Sequence, residues 1–325
     1  MIEIDSHPSV ESEALRREAA AALRENRLDP KFLYLTPRQA GLWRDVFLRH
    51  SPIHGHPEFA RIYREAFAKT AERIGAKKVL LAGLGCGTGR KELELHAALA
   101  GRGAETLFAA VDASRDLVRE SAERLVAAGA AHRRSLVSDL AQAGDMGRWL
   151  DETGGGLPRV ITFFGLVPNL PPPVVARLFR AVLRPGDLLL ASAHLAPVAG
   201  EDRAEIPPAM EIVRPQYDNP ETLAWLRAAQ EEAGLENLTG PPEMKIGRVG
   251  EIPAFIASAR WKSSAPFELW GLRFTPEPDE PLRLFHSLRH TPALFEGFLR
   301  REGFDAERLA ITACRQEAIW CVRAV

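Results

Sequence analysis

Cysteine is scarce. Cys86, Cys314 and Cys321 are the only three in 325 residues, an odd number without metal-ligand spacing. That excludes a disulfide framework and argues against a cysteine-based metal site. Charge of one sign is lacking too: 42 basic and 43 acidic side chains leave a formal net charge of −1. With no basic excess to face a phosphate backbone, nucleic acid is not an expected partner. No apolar run approaches the about 20 residues that a membrane span requires. No basic-then-apolar stretch of secretory type opens the sequence, so a cytoplasmic location away from membranes is expected. Internal repeats and low-complexity tracts are absent. His54 and His56 lie two apart without a third ligand spaced to join them, so no metal is expected. What remains is a globular chain, 46% hydrophobic and long enough for one large or two modest domains.

Glycine is concentrated in one place. The run Val79-Leu80-Leu81-Ala82 has strand length and enters Gly83-Leu84-Gly85-Cys86-Gly87-Thr88-Gly89, after which Glu92 to Ala100 is helical in pattern. Leu107 to Val111 is a second strand-like run and ends on Asp112. Glycines there let the backbone turn tightly and approach a ligand, and a carboxylate after the second strand can take both ribose hydroxyls of a nucleoside. The dinucleotide pattern G-x-G-x-x-G fails in both frames, because Thr88 or Arg90 stands at its third glycine. The phosphate loop G-x-x-x-x-G-K fails at the same two residues. The Gly-Cys-Gly-Thr-Gly turn instead resembles that of S-adenosylmethionine-dependent methyltransferases, whose ligand is a nucleoside joined to an amino acid and carries no phosphate.

Further along, helical and strand patterns alternate. Residues 8–27 read as an exposed helix, Phe59 to Ile74 and Asp116 to Ala128 as helices, Ser135 to Val137 and Val160 to Phe164 as strands. Pro171 to Leu183 is a helix opened by prolines, and Leu188 to Ala191 is a buried strand. That rhythm predicts a doubly wound α/β fold with a parallel sheet covered on both faces. From about residue 200 it changes: a connector over Glu201–Pro208, a helix from Pro220 to Ala233, then β-leaning runs at 255–261, 267–274 and 282–285. A helix over 291–302 precedes two last runs, 309–314 and 318–322. The expected organisation is an N-terminal helical segment (1–59), a Rossmann-like class I methyltransferase domain (60–200) and an α+β portion (201–325), with both ends contributing to substrate binding.

Several segments together resemble the histidine-specific N-alpha-methyltransferases of ergothioneine biosynthesis and their amine-methylating relatives. Pro30-Lys31-Phe32-Leu33-Tyr34 is similar to that family's Pro-Lys-x-x-Tyr, and Gly85-Cys86-Gly87-Thr88-Gly89-Arg90-Lys91 to its glycine loop with an Arg-Lys pair. Val111-Asp112-Ala113-Ser114 resembles its ribose segment, Phe163 to Leu170 its Gly…Asn-Leu segment, and Gln216-Tyr217-Asp218-Asn219 its Ala-Tyr-Asp-Asp. The resemblance covers residues 30–230 and implies S-adenosylmethionine as donor, with S-adenosylhomocysteine as product. It implies donor contacts at Gly85, Cys86, Gly87, Lys91, Asp112, Asp139, Leu140 and Gly165. The acceptor, a small amine or amino acid, would lie near Tyr34, His54, Asn169, Tyr217, Phe285 and Ser287, with Asn169 and Tyr34 nearest the reacting amine. Gly83 stands where the family carries an acidic residue, and Phe285 where its glutamate grips the imidazole, which argues against histidine as acceptor.

Each of these residues also has a plain reading. Asn169 can close a turn, Lys91 can be a first-turn helix charge, Tyr34 and Tyr217 can be packed aromatics, and Cys86 a packed small residue. Two other functions stay open: methylation of oxygen or carbon, favoured if a histidine base stands by the acceptor, and a non-catalytic binding protein that has lost its donor site. Nothing in the sequence marks a dimer face, and a monomer is expected.

Overall fold

The computed structural model describes residues 2–198, 206–277 and 280–325, without the His54 side chain. The first strand of the glycine run, Lys78–Leu84, sets the architecture. Its side chains alternate between two cores, with Leu80, Ala82 and Leu84 on one face and Val79 and Leu81 on the other. A strand buried on both faces must lie inside a layered sheet.

That sheet has nine strands. In chain order they are β1 (Ile4–Ser6), β2 (Lys78–Leu84), β3 (Glu105–Asp112), β4 (Ala131–His132), β5 (Ser135–Val137), β6 (Arg159–Phe163) and β7 (Leu188–His194), joined after a second sheet by β13 (Phe304–Ile311) and β14 (Glu317–Ala324). The order across the sheet is β1-β5-β3-β2-β6-β7-β14-β13, with β4 beside β3. All pairs from β1 to β7 are parallel, whereas β14 runs antiparallel to both β7 and β13. One face is covered by α4 (Pro57–Arg73), α5 (Arg90–Ala100) and α6 (Arg115–Ala127), and the other by α7 (Met146–Gly154), α8 (Pro172–Val182) and α11 (Pro292–Arg301). This is the expected doubly wound fold. The strand order reverses at β2, which places a crevice over the carboxyl ends of β2, β3 and β6.

A second core lies beyond those carboxyl ends. An antiparallel sheet of β8 (Glu243–Val249), β9 (Ile252–Ala259) and β12 (Leu282–Leu288) packs with α9 (Ile206–Val213) and α10 (Pro220–Glu232). The hairpin β10 (Phe267–Leu269) and β11 (Leu272–Phe274) flanks it. Ala20 and Leu23 of α1 (Ser12–Arg24), together with Leu28 and Leu33, join the same core. Segments from both sides of the main domain in sequence, residues 20–33 and 206–285, therefore share one apolar interior.

Several features differ from the sequence pattern. Residues 8–27 do not form one exposed helix: Pro8–Val10 is a short 3-10 turn, and α1 buries Ala19, Ala20, Ala22 and Leu23. Pro37–His50 forms a further helix, α2, started by a capping box in which Thr36 and Gln39 satisfy each other's backbone. Of the connector expected at 201–208, residues 201–205 lie outside the described residues, and Ile206 already begins α9. The last two strands complete the large sheet rather than the second one, because Trp320, Cys321 and Val322 pair with Ala191, Leu190 and Leu189 of β7.

Candidate functional site

The loop after β2 is held by its own backbone and by one carboxylate. Gly85, Gly87 and Gly89 all have positive φ, and a Cβ on Gly87 would lie 3.0 Å from the Trp43 ring. The left-handed conformation and the close approach both call for glycine. The Gly85 amide donates to the Val111 carbonyl at 2.8 Å, which ties the loop to β3. Asp112 ends β3 and accepts from the Gly87 amide at Oδ2 and from the Ser114 amide at Oδ1, both at 3.0 Å. Burial raises its pKa, opposed by the amides of Ser114, Gly87 and Ala113. A carboxylate has about four lone-pair sites, so two such bonds leave capacity for ligand hydroxyls.

Gly83 lacks the acidic side chain found in the resembling family, and the structure fills the space from elsewhere. A Cβ at Gly83 would lie 3.2 Å from Cγ and 3.5 Å from Cδ of Glu92. Glu92, in the first turn of α5, is buried and accepts from the Thr162 hydroxyl at 2.7 Å. Thr162 is the cross-strand partner of Gly83 on β6. The carboxylate thus sits over the end of β2, with its pKa raised by burial. Beside it, Lys91 donates to the Tyr63 hydroxyl at 2.8 Å and lies against the Tyr63 and Phe164 rings. Burial lowers the Lys91 pKa, while Glu317, Glu92 and Glu94 act to raise it. Tyr63 in turn donates to Glu317.

Asp139 and Leu140 follow β5. The Asp139 carboxylate accepts from Lys31 at 2.5 Å and from the Ala141 amide at 2.9 Å, while Lys31 also pairs with Glu18. The segment containing Tyr34 is thereby anchored to the floor of the crevice by a buried lysine.

One cavity of about 280 Å³ is lined by Gly85, Cys86, Gly87, Lys91, Asp112, Asp139, Leu140 and Gly165 on one side. Tyr34, Asn169, Tyr217, Phe285 and Ser287 line the same cavity. Tyr34 packs its ring on Trp43 and Trp225, and its pKa is raised by burial and then by the Asp112 charge. Asn169 donates from Nδ2 to the Gly165 carbonyl at 3.2 Å, closing the turn after β6. Phe285 lies against the Tyr217 and Trp225 rings. Cys86 is a buried thiol whose pKa is pushed well up by burial, as suits a packed small residue. His54 belongs to α3 (Pro52–Gly55), and its side chain lies outside the described part.

The sequence pattern did not single out two further residues in this cavity. His194 ends β7, with its Nδ1 3.1 Å from the Tyr217 hydroxyl. Its pKa lies well below the usual histidine value, through burial first and then through the positive charges of Arg289 and Lys91. The ring is therefore neutral near pH 7. Arg289 donates to the Tyr217 hydroxyl at 2.8 Å and to the Leu195 carbonyl at 3.2 Å, and it packs over the Tyr217 and Phe255 rings. The signal for Arg289 was strand periodicity: Phe285, Ser287 and Arg289 alternate onto one face at and just beyond the end of β12. The signal for His194 was the length of β7, which reaches it because Glu317 pairs opposite on β14.

No family model matches this chain, and neither does any curated protein. Among solved structures, the methyltransferase CcbJ from Streptomyces caelestis aligns with a TM-score of 0.38 and 16% identity, over 81% of this chain and 95% of that one. A SAM-dependent methyltransferase from Bacteroides fragilis, in complex with S-adenosyl-L-homocysteine, aligns with a TM-score of 0.37 and 13% identity, over 82% and 81%. Magnesium protoporphyrin IX methyltransferase from Synechocystis, with bound SAH, aligns with a TM-score of 0.36 and 17% identity, over 88% and 99%. The fold assignment rests on the strand order of the central sheet alone: a doubly wound, Rossmann-like α/β domain.

Proposed function

We propose that this protein transfers a methyl group from S-adenosylmethionine to the amine of an amino acid or a related small molecule. The observation that carries the reading is the single cavity in which the glycine loop and Asp112 face Tyr34, Asn169 and Tyr217. The residues present fit such a donor. The Gly85 to Gly89 backbone leaves room that side chains would fill, and Asp112 keeps acceptor capacity for the ribose. Glu92 supplies a buried carboxylate for the donor's ammonium in place of an acid at position 83, and Asp139 with Leu140 borders the base.

A sulfonium donor supplies its own leaving group. The protein's part is to align the nucleophile about 3 Å from the methyl carbon and exclude water. The nucleophile must arrive with a free lone pair. Lys91, half-buried near a neutral His194, disfavours a second cation beside it, which keeps the acceptor amine deprotonated. Residues 12–50, 206–277 and 280–288 form the acceptor side around the second core, while β1, α11 and residues 304–324 belong to the main sheet and its cover. Histidine itself is disfavoured by Phe285.

One observation favours a second reading, methylation of oxygen: His194 stands beside Tyr217 in the cavity. The test is incubation with methyl-labelled S-adenosylmethionine and matched amino acids and hydroxy acids, followed by mass spectrometry. Label on nitrogen supports the first reading and label on oxygen the second. Absence of donor binding would leave the non-catalytic reading.

A further inference from the structure

Among the described residues, Arg289 is a buried cation without a counter-ion. It is 1% exposed, yet it makes no ion pair with any described residue. The acids lining the same cavity have partners of their own. Glu317 accepts from Tyr63, Glu92 from Thr162, Asp112 from two amides and Asp139 from Lys31. Two of the Arg289 donors reach Tyr217 and Leu195, but its Nε–H is buried without an acceptor. Proteins avoid burying an unpaired charge unless a counter-charge arrives. Around it, the Tyr217 hydroxyl lies 2.9 Å from Ser287 Oγ. Phe285 occupies the neighbouring position on this strand face and offers no competing acid.

We propose that Arg289, with the Tyr217 and Ser287 hydroxyls, is a carboxylate site, and that the methyl acceptor must carry a carboxylate. This rests on the methyltransferase reading only for the word acceptor; the anion site stands on the cavity alone. Arg289 lines the cavity, and the Nη hydrogens not taken by Tyr217 and Leu195 are charge-assisted donors for a carboxylate. A phosphate dianion fits less well, because one guanidinium would leave a negative charge uncompensated in an aromatic-lined pocket. Arg289 becomes the residue that separates amino acids from their decarboxylated amines.

The test uses benzoate and its neutral isostere benzamide, titrated calorimetrically into the full chain at pH 7 with and without S-adenosylhomocysteine. Benzoate is expected to bind at least about tenfold more tightly than benzamide, the ratio expected of one added charge-assisted contact. Arg289→Gln should abolish that preference while leaving S-adenosylhomocysteine affinity unchanged. Equal binding of the two probes, no binding of either, or a benzoate preference that survives in Arg289→Gln overturns the proposal. Should Arg289→Gln fail to fold, Arg289→Lys keeps the charge but not the fork; weaker benzoate binding supports the site and unchanged binding overturns it. If the wild type takes benzoate but not S-adenosylhomocysteine, the methyltransferase reading fails and the anion site stands.

Discussion

Replacing Glu92 by glutamine tests whether a helix residue has taken over from the acid missing at position 83. The carboxylate is buried over Gly83 and held by Thr162, and the substitution keeps its shape while removing its charge. A hydrogen bond to a charged group is worth about 1.5–3 kcal/mol. At about 1.4 kcal/mol per decade, S-adenosylhomocysteine should bind roughly ten to a hundredfold more weakly to Glu92→Gln. 5′-Methylthioadenosine, which lacks the amino-acid half, should bind the variant and the wild type alike. Burial raises the Glu92 pKa, so wild-type affinity should fall as pH drops through that raised value and the carboxylate loses its charge. The variant should lack this fall. Moving the acid back, with Gly83→Asp in a Glu92→Ala background, should restore affinity. Calorimetry on the two ligands reads all of this. Equal loss for both ligands, or no loss for either, would refute the placement of the donor's ammonium at Glu92.

Other expectations concern the frame around the site. A Cβ on Gly89 would lie 2.4 Å from Ser121 Oγ and 2.9 Å from Ser121 Cα, at a φ of +71°. Adding left-handed strain of about 1–2 kcal/mol to overpacking of about 1–3 kcal/mol, Gly89→Ala should lose about 2–5 kcal/mol in chemical denaturation. Lys31→Met leaves the Asp139 carboxylate without its buried partner and should destabilise by about 3–5 kcal/mol, seen as a lower melting temperature. His290 is buried with neither ring nitrogen partnered, and burial lowers its pKa from 6.5 to about 4. The unfolded chain takes up that proton first, so stability is full above pH 6.5 and declines towards pH 4. The decline is about 3 kcal/mol at most. His290→Leu should flatten that part of the stability profile; an unchanged slope would show that other groups cause it.

The glycine-loop side of the cavity was legible because its signals are local. Gly83 to Gly89 and Asp112 lie on one strand-loop-helix-strand unit, and the glycine spacing alone excludes a dinucleotide or triphosphate. The runs at 309–314 and 318–322 were visible as strands, but their destination was not. Pairing of Trp320 with Ala191 joins residues far apart in sequence, and no local pattern encodes it. Ile4–Ser6 is too short to stand out, yet it extends the sheet edge beside β5. The Tyr217 side of the cavity was least legible. The half-buried His194 and the buried Arg289 are brought to Tyr217 by two different sheets, and no local pattern encodes that meeting.

If the Gly85 to Asp112 unit holds a nucleoside-based methyl donor, it also binds the demethylated product. The most direct measurement is calorimetric titration of the wild type and Asp112→Asn with S-adenosylhomocysteine. Micromolar binding to the wild type is expected, and affinity at least about tenfold weaker for the variant, as befits loss of charge-assisted bonds to the ribose. Absence of binding to folded wild-type protein, or equal affinity in the two proteins, would contradict it.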